Sequence, residues 1–246
     1  MSEFIRSNPI ELAGRIARNP ATILRIPKKA TDIFKWRKIN QLLDGYQAIH
    51  PDIVFVQIGA NDGVRGDPLH KRIIGGGWTG ILVEPVPEHI HEARKNYAYT
   101  KGIEFVQAAI ADTDGTQTMY RFRHENYGGM GIESHSLEKS AILASAKLLG
   151  IKATDECVEK ITVPTMTLPS LLSNNGLVAI DLLAIDAEGS DETILNTLLD
   201  TDVRPALILY ENLFMNKNSH SRINDMFKSE SYEAINTSQD TLLYKI

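Results

Sequence analysis

The sequence predicts an α/β fold built on an open, mostly parallel sheet with helices on both faces. Short apolar runs of strand length, at residues 53–58, 80–84, 103–109, 180–185 and 205–210, alternate with stretches of helical period. Such alternation implies crossovers between parallel strands. The first run breaks into a glycine-bearing turn, Gly59-Ala60-Asn61-Asp62-Gly63, with helical sequence soon after. The second ends in Glu84, about twenty residues further on, where an acidic side chain is placed to hydrogen-bond hydroxyls of a ribose.

The elements follow in order. A helix is expected over 31–48, with Thr31 as N-cap and Ile33, Phe34, Ile39, Leu42 and Leu43 on one side. A shorter amphipathic helix is expected at 10–17, ended by Asn19-Pro20. After the first strand a helix spans 68–74 and stops at Gly75-Gly76-Gly77. The helix over 87–97 opens on Pro87, which suits a first turn. Asp112-Thr113-Asp114-Gly115 is a turn leading into an added strand at 116–122. Residues 123–160 break the rhythm, with Tyr127-Gly128-Gly129-Met130-Gly131 as loop and a helix over 137–149. An insertion of that size reads as a substrate-covering segment. A strand at 161–166, a helix at 169–172 and a helix at 191–199 come next, then a helix at 222–228. Strands at 232–236 and 241–246 form an antiparallel hairpin that closes one edge. Two regions result: a basic helical extension, 1–50, and a catalytic domain, 51–246.

Composition bounds the partners. A net charge of −5 argues against nucleic acid, whose phosphates want a cationic surface. The single cysteine, Cys157, cannot form an internal disulfide, and no stretch approaches the length of a membrane span. A cytoplasmic location is expected. Residues 1–50 nevertheless carry nine Lys/Arg against four Asp/Glu. They form a surface for peripheral membrane contact, a lid over the substrate, or helices packed on the core with a solvated basic face; the last is favoured.

The glycine spacing chooses among nucleotides. A dinucleotide fingerprint would need glycine at 59, 61 and 64, but the chain has Gly59, Asn61 and Val64. Glycines at 59 and 63 instead fit the G-x-G-x-G loop of class I methyltransferases, with Asn61 in the middle place.

Five segments then resemble the FkbM family of S-adenosylmethionine-dependent methyltransferases. They are FVQIGANDG (55–63), GILVEPVPEHIHEARKNY (80–97), QAAIADTDGTQTMY (107–120), VPTMTLPSLL (163–172) and IDLLAIDAEGSDETIL (180–195). The resemblance implies a Rossmann-like class I methyltransferase fold, a mostly parallel seven-stranded sheet with a C-terminal antiparallel hairpin. It implies O-methylation of a small hydroxylated acceptor, commonly a saccharide, glycoside or secondary metabolite, with S-adenosylmethionine as cofactor. By the same resemblance Gly59, Ala60, Asn61 and Gly63 line the cofactor's methionine half, Gln57 and Asp186 also belong to the cofactor site, and Glu84 holds its ribose, with Pro85 fixing the chain's exit. Ala109, Ile110 and Asp112 sit beside the adenine, and Asp186 and Glu188 face the transferred methyl group. Two positions depart from the family pattern: Gln57 stands where an acidic residue is common, and Ala184 where a basic one is.

Methyl transfer to a hydroxyl asks for alignment and for a base within hydrogen-bond reach. His135, in the covering segment, is the first candidate for that base and His124 the second, alongside Asp186 and Glu188. Glu211 and Asn212 would complete an oxygen-rich Mg²⁺ site with Asp186, but no metal is expected. His89 and His91 lie about 200° apart on their helix and are expected at the surface. Asp186-Ala187-Glu188-Gly189 replaces the N/D-P-P-Y of amide and base methylases. The rival readings are a non-catalytic cofactor-binding scaffold in a biosynthetic assembly and a nicotinamide-dependent oxidoreductase.

Overall fold

The structure, a computed structural model, describes residues 30–123, 135–148 and 154–246. The short helix expected at 10–17 and the glycine loop at 127–131 lie outside these residues, as does His124.

Helix α1 (Ala30–Ile49) precedes β1 (Val54–Ile58), α2 (His70–Gly76), β2 (Thr79–Val83), α3 (Pro87–Asn96) and β3 (Ile103–Val106). Then come β4 (Ala109–Ile110), β5 (Gly115–Phe122), β6 (His135–Ser136), α4 (Lys139–Leu148) and β7 (Val158–Met166). The chain finishes with α5 (Leu168–Asn174), β8 (Leu182–Ile185), α6 (Asp191–Leu199), β9 (Leu207–Glu211), α7 (Lys217–Ser229), β10 (Tyr232–Asn236) and β11 (Asp240–Lys245).

The main sheet has seven strands in the order β10-β11-β9-β8-β1-β2-β3. Pairings β1–β2, β1–β8, β2–β3 and β8–β9 are parallel, and β11 is antiparallel to both neighbours. The expected hairpin therefore closes the edge. Its central strands are buried on both faces, which is why they read as unbroken apolar runs. One face packs Val56, Ile81, Leu183 and Ile208 against Leu171, Leu195 and Phe227 of α5, α6 and α7. The other packs Phe55, Leu82, Leu182 and Leu209 against Ile39 and Leu43 of α1, and Ile73 of α2.

Three expectations need correction. The run 103–109 is not one strand: β3 ends at Val106, and β4 pairs with β7 in a separate four-stranded sheet, order β4-β7-β5-β6. Apolar alternation cannot say which sheet a strand joins, and the chain changes sheets between Val106 and Ala109. The helix after β1 does not stop before the glycines but runs through Gly76 to a left-handed cap at Gly77. Burial of Ile73 and Trp78 against the sheet outweighs the poor helix propensity of glycine there. Helix α7 starts at Lys217, five residues before the expected 222, because Asn216 caps it by accepting from the N–H groups of Asn218 and Ser219.

Candidate active site

Strands β2 and β3 lie to one side of β1, and β8 and β9 to the other. The carboxyl ends of β1 and β8 therefore flank the point where strand order reverses, which is where open α/β sheets take their ligands. The geometry of the turn after β1 shows why its sequence is what it is. Gly59 has φ +77°, and a Cβ there would lie 1.8 Å from the Asp186 carbonyl oxygen. Only glycine lets the β1 turn touch β8. At Gly63, φ +73°, a Cβ would lie 2.5 Å from the Tyr97 ring. Asn61 occupies the left-handed region at φ 51°, which asparagine tolerates better than most residues.

Glu84 anchors this turn. One carboxylate oxygen accepts from the Asn61 N–H at 2.9 Å and the other from the Val86 N–H at 3.0 Å. The side chain is buried, yet each carboxylate oxygen has a second lone pair for a hydroxyl donor. The end of α3 holds the turn from below: Asn96 donates to the Asp62 carbonyl at 2.8 Å and Tyr97 to the Gly63 carbonyl at 2.9 Å. Asp62 in turn accepts from the N–H groups of Val64 and Arg65. Burial would raise its carboxyl, but these bonds and the Arg65 guanidinium hold it below the usual range.

On the β8 side Asp186 follows the last residue of β8 and stays solvent-exposed although protein atoms crowd round its carboxyl. That desolvation and the neighbouring carboxylates of Glu188, Asp191, Asp240 and Glu84 push its carboxyl well above the ordinary value. Glu211, at the end of β9, is raised by burial and by the charges of Asp186 and Glu188, and one of its oxygens has no hydrogen-bond partner. Asp191, buried in the first turn of α6, is pushed up to about 6 by burial. The site edge is thus rich in negative charge. Among the described residues no group of three or more His, Cys, Asp or Glu is arranged to hold a metal ion.

The other sequence-predicted residues distribute around this edge. Gln57 is buried, with its amide toward Asp67, whose carboxyl burial raises to about 6. Ala60 and Pro85 are buried beside the turn. Ala109 and Ile110 are buried on β4, Ala109 against Val86 and Ile110 in the main core, whereas Asp112 is exposed. His135 is half-buried on β6, its ring edge-on to that of His89 at 4.7 Å between centroids. His89 is therefore no plain surface residue: its Nδ1 lies 3.8 Å from the Glu84 carboxylate. His91 is exposed, as expected.

Reasoning from sequence missed two holding contacts. Ser136, fully buried, donates to the Glu188 carbonyl at 2.7 Å and accepts from the Glu138 N–H at 3.0 Å, so β6 is fastened to the β8 motif. No local signal marks a serine for that role. The Asn96–Tyr97 brace was visible in principle, since both residues close the segment 80–97.

A site at the switch point, a glycine turn pressed on β8 and a carboxylate ending β2 define a Rossmann-like methyltransferase of class I, for which the fold implies S-adenosylmethionine as donor. A family model for the methyltransferase FkbM domain matches residues 57–234, and the chain belongs to that family. No curated protein matches it. Among solved structures it is similar to an FkbM methyltransferase from Methylobacillus flagellatus KT, with 9% identity, TM-score 0.46, and coverage of 79% of this chain and 44% of that one. An O-methyltransferase from Bacillus cereus in complex with SAH gives 13% identity, TM-score 0.45, and coverage of 99% and 94%. A precorrin-6y C5,15-methyltransferase from Geobacter metallireducens GS-15 gives 11%, 0.41, and coverage of 79% and 81%.

Proposed function

We propose that the protein transfers the methyl group of S-adenosylmethionine to a hydroxyl of a small acceptor, a saccharide, glycoside or secondary metabolite. The observation that carries this reading is the pairing of two unlike features at one sheet end. A turn that admits only glycine at 59 meets a buried carboxylate at 84, and beside them the carboxyls of Asp186 and Glu211 crowd together, each disfavouring the other's ionisation until a cation arrives. A sulfonium with an ammonium at one end and a ribose diol at the other is the ligand whose charges complement that set. The cofactor supplies an activated methyl group.

The chain's own residues then have distinct tasks. Glu84 accepts the ribose hydroxyls, Gly59, Ala60, Asn61 and Gly63 bound the methionine half, and Ala109, Ile110 and Asp112 flank the adenine. Asp186, with Glu188 beside it, faces the acceptor. A carboxyl raised above its ordinary value by its neighbours is a better proton acceptor than a free one, so Asp186 takes the hydroxyl proton. His135, set against His89 on the Glu84 flank, closes the segment over the ribose. The absence of N/D-P-P-Y after β8 favours a hydroxyl over an amide or base acceptor.

Calorimetric titration with S-adenosylhomocysteine, with NAD as the negative ligand, is the test. Micromolar affinity is expected, reduced at least about tenfold in Glu84→Ala by loss of charge-assisted hydrogen bonds. Unchanged affinity in the variant would sink the role of Glu84. Radiolabelled methyl transfer to a panel of sugars and phenols, with and without Mg²⁺, then reads the acceptor class. A tight binder that methylates none of them points to the scaffold instead.

A further inference from the structure

Helix α1 presents two faces of different kinds. Inward, Ile39 and Leu43 are buried against the main sheet. Outward, Ile33 and Phe34 are 64% and 71% exposed, an apolar pair that joins no core cluster of the described residues. At about 100° per residue, Arg37 and Lys38 fall on the same side as these two, opposite Ile39 and Leu43. Arg37, Lys38 and the neighbouring Lys35 are exposed and form no ion pair among the described residues. Apolar side chains interleaved with free cations on one helix face are what an anionic bilayer surface takes up.

Two further observations choose this partner and orient it. Charge is segregated along the chain: residues 1–50 hold nine Lys/Arg and four Asp/Glu, while the whole protein is at −5. A basic segment on an otherwise acidic chain favours a negative surface over a neutral one. The first turns of α1 are also tied to the active-site end of the sheet. Trp36 donates from Nε1 to Asp240 at 3.2 Å, and Ser238 donates to Asp32 at 2.5 Å. Asp240 stands opposite Glu211 in the β11–β9 register, so the first turn of α1, which carries Ile33 and Phe34 on its outer side, lies at the end of the sheet where β9 ends.

We propose that the outward face of α1 docks the protein peripherally on an anionic phospholipid bilayer, with the mouth of the active site held at the membrane surface. Ile33 and Phe34 enter the headgroup region, and Arg37 and Lys38 meet lipid phosphates. Docking on this face does not rest on the acceptor being a hydroxyl, and the two fail separately.

Co-sedimentation of the full chain with vesicles of equimolar phosphatidylcholine and phosphatidylglycerol tests it. Binding is expected to the anionic vesicles and not to phosphatidylcholine alone, and to weaken as salt is raised. Arg37→Glu with Lys38→Glu should lower partitioning at least about twentyfold, since each basic residue near such a surface contributes roughly fivefold. Ile33→Ser with Phe34→Ser should lower it about tenfold through lost apolar insertion. Both pairs are solvent-facing, so far-UV circular dichroism and S-adenosylhomocysteine affinity should match the parent. No binding to anionic vesicles, or binding by both variants equal to the parent's, would overturn the proposal. So would light scattering that shows a dimer converted to monomer by Phe34→Ser, which assigns the face to a second copy. Vesicle binding that persists in a protein with no affinity for S-adenosylhomocysteine would leave the docking face standing and remove the methyl-transfer reading.

Discussion

The two sheets of this molecule are made of different strands and do different work. In the seven-stranded sheet β8 is buried at every position and β1 at four of five. In the four-stranded sheet β7 has only Val158, Val163 and Thr165 buried, and β5 only Met119 and Phe122. The first sheet is an interior that cannot shift without losing core contacts. The second is a half-covered layer resting on Val86 and α4 through small apolar clusters. The contrast explains where precision is kept. The glycine turn and Asp186 follow the most deeply buried strands, whereas His135 and Ser136 belong to the looser layer.

Substitutions can break this comparison, and the largest effect is expected at the turn. Gly59→Ala places a Cβ against the Asp186 carbonyl at a left-handed φ. It should cost at least about 3 kcal/mol in urea unfolding and abolish S-adenosylhomocysteine binding. A variant with parental stability and affinity would mean the turn and β8 are not pressed together. Next comes a matched pair of core truncations. Leu183→Ala, in the main sheet, should destabilise by about 4 kcal/mol, and Met119→Ala, in the second sheet, by about 2 kcal/mol. Equal costs would erase the distinction drawn between the sheets.

The pH dependence of stability sharpens it further. Burial raises the Asp191 carboxyl from 3.8 to about 6. The folded protein therefore binds this proton in a window where the unfolded chain has released it. The contribution of this group to stability is greatest below the unfolded value and declines as pH rises through about 6, by up to about 3 kcal/mol. Asp191→Asn should flatten that part of the profile from pH 4 to 7 in denaturant melts; an unaltered slope would contradict the burial argument. The smallest effect is expected at Ser136→Ala. Losing the bond to the Glu188 carbonyl should cost about 1 kcal/mol and lower turnover severalfold, with S-adenosylhomocysteine affinity little changed. A fall in affinity matching the fall in turnover would show that Ser136 shapes the cofactor site itself.

What can be read from sequence divides along the same line. Strands of the main sheet announce themselves because burial on both faces leaves unbroken apolar runs, as at Leu182, Leu183, Ala184 and Ile185. The turn is legible because Gly59 and Gly63 directly follow such a run, where a side chain would obstruct the path of the backbone. The split of 103–109 is not, since Phe105 and Ala109 satisfy an apolar pattern whichever sheet receives them. His89 falls at the surface by helical angle alone, which says nothing about a histidine arriving from a separate strand. The Ser136 clamp joins residues 52 apart in sequence, a distance at which local pattern carries no information.

The contact between Gly59 and Asp186 also sets an order of events. Asp186 follows β8, more than a hundred residues after the turn it meets, and β1 finds β8 only once that length of chain exists. During synthesis the first half of the protein can pair β1 with β2 and form the glycine turn, but it presents half a pocket. The second half arrives with the carboxylates. Closing so long a loop is slow relative to local pairing, so competence to bind a ligand should be acquired late, after most secondary structure has formed.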